Sequence, residues 1–118
     1  LMQQPAGPDL GRIIQESVPG KQVTLAHMIA SPVPDMYERL GIDEAGAIGI
    51  LTLSPSETSI IAADIATKVA DVKIGFLDRF AGSVLLTGDI ASVETALRAI
   101  IETLGDSLGF TTAEVTRT

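Results

Sequence analysis

GAIGILTLSPSETSIIAADIATKVADVKIGFLDRFAGSVLLTGD, residues 46–89, decides the fold. From Ala47 to Leu53 it is almost wholly apolar, as expected of a strand covered on both faces. Ser54-Pro55-Ser56-Glu57 then reads as a capping box. Ser54 would accept from the N3 amide, Glu57 would reach back to the Ser54 amide, and Pro55 would stand where a missing N–H costs nothing. The helix predicted over 55–70 has an apolar stripe of Ile61, Ala62, Ile65, Ala66 and Val69. Glu57, Asp64, Thr67 and Lys68 lie opposite, with Ile60 among them, and Asp64 and Lys68 are spaced for an i,i+4 ion pair. Strands are predicted over 72–80 and 83–87, joined by a tight turn at Ala81-Gly82, so the stretch is a βαββ unit.

Before it, residues 21–30 alternate Val23, Leu25, His27 and Ile29 with Thr24, Ala26 and Met28, a strand ended by Ser31-Pro32. Residues 34–40 predict a short helix with Met36, Tyr37 and Leu40 on one side and Gly41 at its C-terminal stop. Within it, Val72, Ile74 and Phe76 alternate with Lys73, Gly75 and Leu77 along the hairpin. Asp89 is placed to cap a long helix reaching Leu104 or Leu108, with a stripe of Val93, Leu97, Ile100, Ile101 and Leu104, a Glu94–Arg98 pair, and Gly105 or Gly109 at its end. The Thr-rich residues 110–118 read as a final edge strand. The order β-α-β-α-β-β-α-β predicts an α+β, ferredoxin-like βαββαβ-type sandwich, both long helices covering one face of a mainly antiparallel sheet. Residues 12–118 form one domain, and residues 1–11 are expected to be a disordered or non-native tail. The short segment RIIQESV, 12–18, reads as extended and has no evident strand partner within its own chain.

Fifteen acidic against eight basic side chains give a net charge of −7, which argues against nucleic acid as a partner. The 46% hydrophobic content includes only 3% aromatics, so the core is built from Ile, Leu, Val and Ala rather than around an aromatic ligand pocket. The chain has no cysteine, no signal-peptide pattern and no apolar run near the ~20 residues that span a bilayer, so a cytosolic protein without membrane contact is expected. His27 is the only histidine and sits mid-strand, where a packed or interface role outweighs a catalytic one. No metal site is expected without further His or any Cys. Asp78-Arg79 reads as a salt bridge at the surface or between subunits. Asp64, Asp71 and Asp89 each have a capping or helix-surface explanation. No phosphate-cradling glycine motif occurs, so no catalytic residue, cofactor or enzymatic activity is expected. The alternative is a metabolite-binding ferredoxin-like regulator, for which Asp78, Arg79 and Ser83 are the one polar cluster on offer.

Four blocks are more specific than any of these patterns: IIQESVPGKQVTLAHMIASP, GAIGILTLSPSE, IIAADIATKVADVKIGFLDRF and GSVLLTGDIASVE. Together, over residues 12–118, they resemble the bacterial microcompartment shell proteins, in the circularly permuted single-domain hexamer type of ethanolamine, propanediol and choline utilisation compartments. The resemblance implies a BMC domain whose last strand and short helix have moved to the front. It implies a homohexamer in the bacterial cytoplasm that tiles with other shell proteins around encapsulated enzymes. Phe80, Ala81, Gly82 and Ser83 match the loop lining the hexamer axis, shorter here than in ordinary shell hexamers. Lys68 matches the lysine at the hexamer–hexamer edge, while Ala30 or Ser31 stands near where a second edge motif has arginine. Ile13, Ile14, Gln15, Glu16, Ser17 and Val18 match an N-terminal strand that joins five others in a β-barrel over the axis. A closed ring leaves no strand edge unpaired, which suits a segment without a partner in its own chain. Gly46 is a candidate position for a bend in the hexamer.

Overall fold

The structure, a computed structural model, describes residues 20–118; the tail expected at 1–11 and the strand expected at 12–18, with Ile13–Val18, lie outside the described residues. Five strands form one sheet in the order β3-β4-β2-β1-β5. They are β1 (Gln22–Ala30), β2 (Ala47–Ser54), β3 (Lys73–Asp78), β4 (Ser83–Gly88) and β5 (Thr116–Arg117). β1–β2, β2–β4 and β3–β4 pair antiparallel, and β5 runs parallel to β1. Helices α1 (Pro34–Leu40), α2 (Thr58–Val69) and α3 (Ile90–Glu102) follow β1, β2 and β4, and α3 runs on into a π-helical turn (Thr103–Ser107). The expected α+β order holds throughout.

Period-two alternation divides the sheet's side chains into two cores. Val23, Ala26, Met28, Leu51, Leu53, Val84 and Leu86 face α2 and α3 and pack with Ala62, Ala66, Val93, Leu97, Ile100 and Leu104. On the other face Ile48 and Leu85 pack with Tyr37 of α1 and with Ile42 in the loop after it. β2 is therefore covered on both sides, which explains its continuous apolar run. Tyr37 reaches inward and donates a 2.6 Å hydrogen bond to the Ala45 carbonyl, tying α1 to its exit loop. Met36 and Leu40, expected on the same inward side, are exposed; a seven-residue helix over a sheet presents only one side chain to it. Gly41 closes α1 in the left-handed conformation (φ +72°), as read from the sequence.

α3 follows its sequence pattern. Asp89 Oδ1 accepts from the Ser92 amide at 2.7 Å, and Val93, Leu97, Ile100 and Leu104 are fully buried. The chain leaves the helix at Gly109. α2 does not follow its pattern. Ser54 is the last residue of β2, paired with Gln22, so its backbone is committed to the ladder and it caps nothing. The first turn closes instead through backbone bonds from the Thr58, Ser59 and Ile60 amides to the Pro55, Ser56 and Glu57 carbonyls, and the helix starts at Thr58 rather than Pro55. Its inward residues are Thr58, Ser59, Ala62 and Ala66; Ile61 and Val69 of the expected stripe are exposed.

β3 carries a bulge between Ile74 and Phe76, so Val72 and Leu77 join the helix-side core while Phe76, opposite Leu85, is exposed. The C-terminal strand is shorter than expected. Thr111 pairs with β1 near Val23 and Thr116–Arg117 pair near Met28, but the chain between them leaves the ladder. The register places the start of β1 and the β3–β4 turn at the same end of the sheet, because Gln22 pairs with Ser54 and Ser83 pairs with Thr52.

Candidate functional site

The β3–β4 connection is four residues, Arg79–Gly82, rather than the two-residue turn expected, and its geometry is set by Asp78. That carboxylate accepts from the Phe80 amide (2.9 Å) and the Ala81 amide (3.0 Å), while the Gly82 amide donates to the Asp78 carbonyl at 2.8 Å. Gly82 has φ +79°, and a Cβ there would stand 2.2 Å from the Leu53 carbonyl oxygen, so no other residue fits without moving β2. Leu53 in turn donates to the Gly82 carbonyl at 2.8 Å. The loop is pinned at its base and presents Phe80, 82% exposed, at its tip. The Arg79 guanidinium lies 4.9 Å from the Phe80 ring centroid, a stacked cation–aromatic pair. Asp78 is thus engaged by backbone amides and Arg79 by a ring. The salt bridge expected between them does not form within the chain, and with Ser83 in the ladder the three do not converge on a ligand.

Lys68, near the C-terminal end of α2, lies 2.9 Å from Asp64 on the helix's outer surface, the i,i+4 pair the spacing predicts. Gly46 stands at the opposite end of the sheet from the β3–β4 loop. Its amide donates to the Gly88 carbonyl (3.1 Å), its carbonyl accepts from Ser31, and a Cβ there would meet Asp89 Cα at 3.3 Å. Phe80–Ser83, Lys68 and Gly46 therefore sit on three separate parts of the surface and form no common cleft.

The titratable groups carry structural roles. His27 Nδ1 is 2.6 Å from Thr116 Oγ1 and Nε2 is 2.9 Å from Thr118 Oγ1. Thr116 Oγ1 also stands 3.3 Å from the Ala26 carbonyl, to which it can donate. The histidine holds β5 to β1. Hydrogen bonds from Ser92, its amide foremost, hold the Asp89 carboxyl below the usual aspartate range. Burial pushes the Tyr37 hydroxyl above the usual phenol range. Among the described residues no group of three or more His, Asp or Glu stands close enough to hold a metal ion. A cavity of about 480 Å³ lies between α3 and the unpaired stretch before β5 and is lined by Arg98, Ile101, Glu102 and residues 112–115.

The BMC domain family matches residues 47–116. The chain is also similar to the bacterial microcompartment shell protein PduU of Salmonella typhimurium, with 60% identity over 112 residues covering 94% of this chain and 97% of the relative. The chain belongs to the BMC-domain shell-protein family. Another relative is the shell protein CutR of Streptococcus intermedius, 59% identical over 108 residues, which cover 92% of this chain and 93% of CutR. Among solved structures, a CutR flat hexamer superposes with a TM-score of 0.82 at 59% identity, covering 91% of this chain and 99% of that one. For a BMC shell protein the element order is informative. β1 and α1 precede the matched residues, yet β1 sits beside β2 in the middle of the sheet, the circular permutation that the resemblance implied.

Sequence reasoning reached Lys68 with its partner Asp64 and the general position of the turn. It missed the part played by Asp78, which the spacing D-R-F-A-G could have signalled, since an Asp four residues ahead of a Gly suits a side-chain-closed turn. It also missed the Arg79–Phe80 stack, for which sequence periodicity carries no signal.

Proposed function

We propose that this chain is a structural, non-catalytic component of a bacterial microcompartment shell in the bacterial cytoplasm, working as a homohexamer that tiles with other shell proteins around encapsulated enzymes. The observation that carries the reading is the match to PduU and CutR over nearly the whole of both chains, together with the likeness to a CutR flat hexamer. In this reading Phe80, Ala81, Gly82 and Ser83 face the six-fold axis. Ile13, Ile14, Gln15, Glu16, Ser17 and Val18 supply one strand each to a barrel that plugs the axis. Lys68 stands at the hexamer–hexamer edge, and Gly46 is the position at which the hexamer bends.

The sheet topology supports the pairing of loop and barrel. Gly20, where the chain enters β1, is at the same end of the sheet as the β3–β4 loop, and β1 and β4 are two strands apart, roughly 10 Å. Gly20 thus lies at the end of the sheet that carries the loop proposed to ring the axis. Native mass measurement tests the reading, with six subunits expected and sheets or tubes appearing at higher concentration. A dimer or trimer with a ligand-dependent melting shift would overturn it in favour of the metabolite-binding regulator. A hexamer structure with an unobstructed axial channel would remove the plug and leave the shell role standing.

A further inference from the structure

Two side chains of the β3–β4 loop serve nothing inside the single chain. Phe80 is 82% exposed at the tip, and the Arg79 guanidinium is stacked on its ring at 4.9 Å. Among the described residues the ion pairs are Asp35–Arg39, Asp64–Lys68 and Glu94–Arg98, and none includes Arg79. The adjacent carboxylate closes the loop instead, since Asp78 accepts from the Phe80 and Ala81 amides. The loop therefore presents a cation and an aromatic ring side by side, on a base that Gly82 fixes against β2.

We propose that this pair is the docking surface for the N-terminal segment 12–18, with each Glu16 lying on an Arg79 of the ring and an apolar neighbour of Glu16 covering Phe80. The inference rests on the axial reading of the loop and the barrel, and adds what holds the barrel to the loops. RIIQESV contains one acid, Glu16, and strand alternation puts it on the same face as Ile14 and Val18. An acid flanked by apolar side chains is complementary to a cation flanked by an aromatic ring. The reach is sufficient. Glu16 stands four positions before Gly20, at most about 14 Å of extended chain. β1 and β4 are roughly 10 Å apart at that end of the sheet. The symmetry supplies the need for an anion. Six guanidinium groups brought round one axis repel one another unless each meets a negative charge, and one carboxylate per subunit matches them six to six. A closed barrel uses its backbone groups within itself, so side chains are left to fix its rotation over the loops. The Phe80 ring and its apolar cover keep water from the pairs, which raises their value above that of open surface bridges.

Amide hydrogen exchange over residues 13–18 tests it on the full chain, in hexamers checked by native mass. In the parent these amides should be protected, because the barrel bonds them. Glu16→Arg and Arg79→Glu should each speed their exchange about tenfold or more, since six ion pairs become six like-charge contacts that opening relieves. The double variant E16R/R79E exchanges the signs and should return to within about threefold of the parent. If either reversal disturbs the hexamer itself, Glu16→Gln and Arg79→Gln take their place, with smaller accelerations that shrink further in high salt. Protection in the parent that neither reversal alters would overturn the pairing and leave the barrel standing. No protection in the parent would remove the barrel, and the pairing with it. Acceleration by Arg79→Glu alone, with inorganic phosphate raising the melting temperature of the parent but not of that variant, would overturn the pairing in favour of a free anion on Arg79.

Discussion

α2 and α3 are nearly equal in length and lie side by side on one face of the sheet, yet they are built in opposite senses. α3 puts Val93, Leu97 and Ile100 inside, fully buried, and is capped by Asp89. α2 puts Thr58, Ser59, Ala62 and Ala66 inside and leaves Ile60, Ile61 and Val69 outside, with no side-chain cap. Small inward residues let α2 sit close to the sheet and contribute little apolar area to the core. α3 supplies most of the helical share of that core, while the large side chains of α2 are available to another molecule. One helix fills the core with large side chains, and the other leaves its large side chains on the surface.

The largest effect expected from this contrast is at α3. Leu97→Ala should cost about 3 kcal/mol, read as a shift in the urea midpoint at fixed protein concentration, because a fully buried leucine leaves a cavity the sheet cannot close. The mirror test at α2 adds volume. Ala66→Leu should cost about 2 kcal/mol, since the inward side of that helix has no room for three more carbons. A neutral Ala66→Leu would mean that α2 packs loosely, and the contrast between the helices would lose its basis.

The two helix starts give a finer comparison. Asp89→Ala should lower stability at neutral pH, because the Ser92 amide loses its acceptor. The folded pKa of Asp89 lies below its ordinary value, so the carboxylate's contribution is complete above the usual aspartate range and is lost as pH falls through the lowered folded value. Parent and variant should therefore converge in acid, which a melting series against pH would show. Ser54→Ala, at the box the sequence suggests, should change stability by less than about 0.5 kcal/mol at any pH. Ser59→Ala should raise stability by about 1 kcal/mol, because its buried hydroxyl has no hydrogen-bond partner among the described residues.

These contrasts also say what was legible beforehand. In α3 apolar side chains serve one purpose, the core of their own chain, so a period of 3.6 read the buried face and the Asp89 cap correctly. In α2 they serve two surfaces. The stripe through Ile61, Ile65 and Val69 is the sum of an inward and an outward pattern, rotated away from the face that is buried. Ser54 had the right residues around it for a capping box, but its pairing with Gln22, distant in sequence, had already claimed its backbone. The same kind of non-local demand made Gly75 the site of a bulge in a strand whose alternation looked regular. At the candidate site, Asp64–Lys68 was legible because both residues lie on one helix with a fixed rise, whereas the four-residue loop at Phe80 depends on a side chain closing onto the backbone.

The smallest effect on folding, and the most discriminating, is expected at Ile61. Nearly half exposed on the single chain, it contributes little to the core, so Ile61→Ser should move the urea midpoint of the hexamer by less than about 0.5 kcal/mol. The same variant should raise the concentration needed for sheets if the outer face of α2 meets another hexamer, as the edge position proposed for Lys68 implies. The two readings separate the purposes assigned to the two helices. A loss of hexamer stability close to that of Leu97→Ala would mean that Ile61 is buried against another subunit inside the hexamer. α2 would then be a second core helix whose core is shared between chains, and the outward face would belong to the hexamer rather than to its edge.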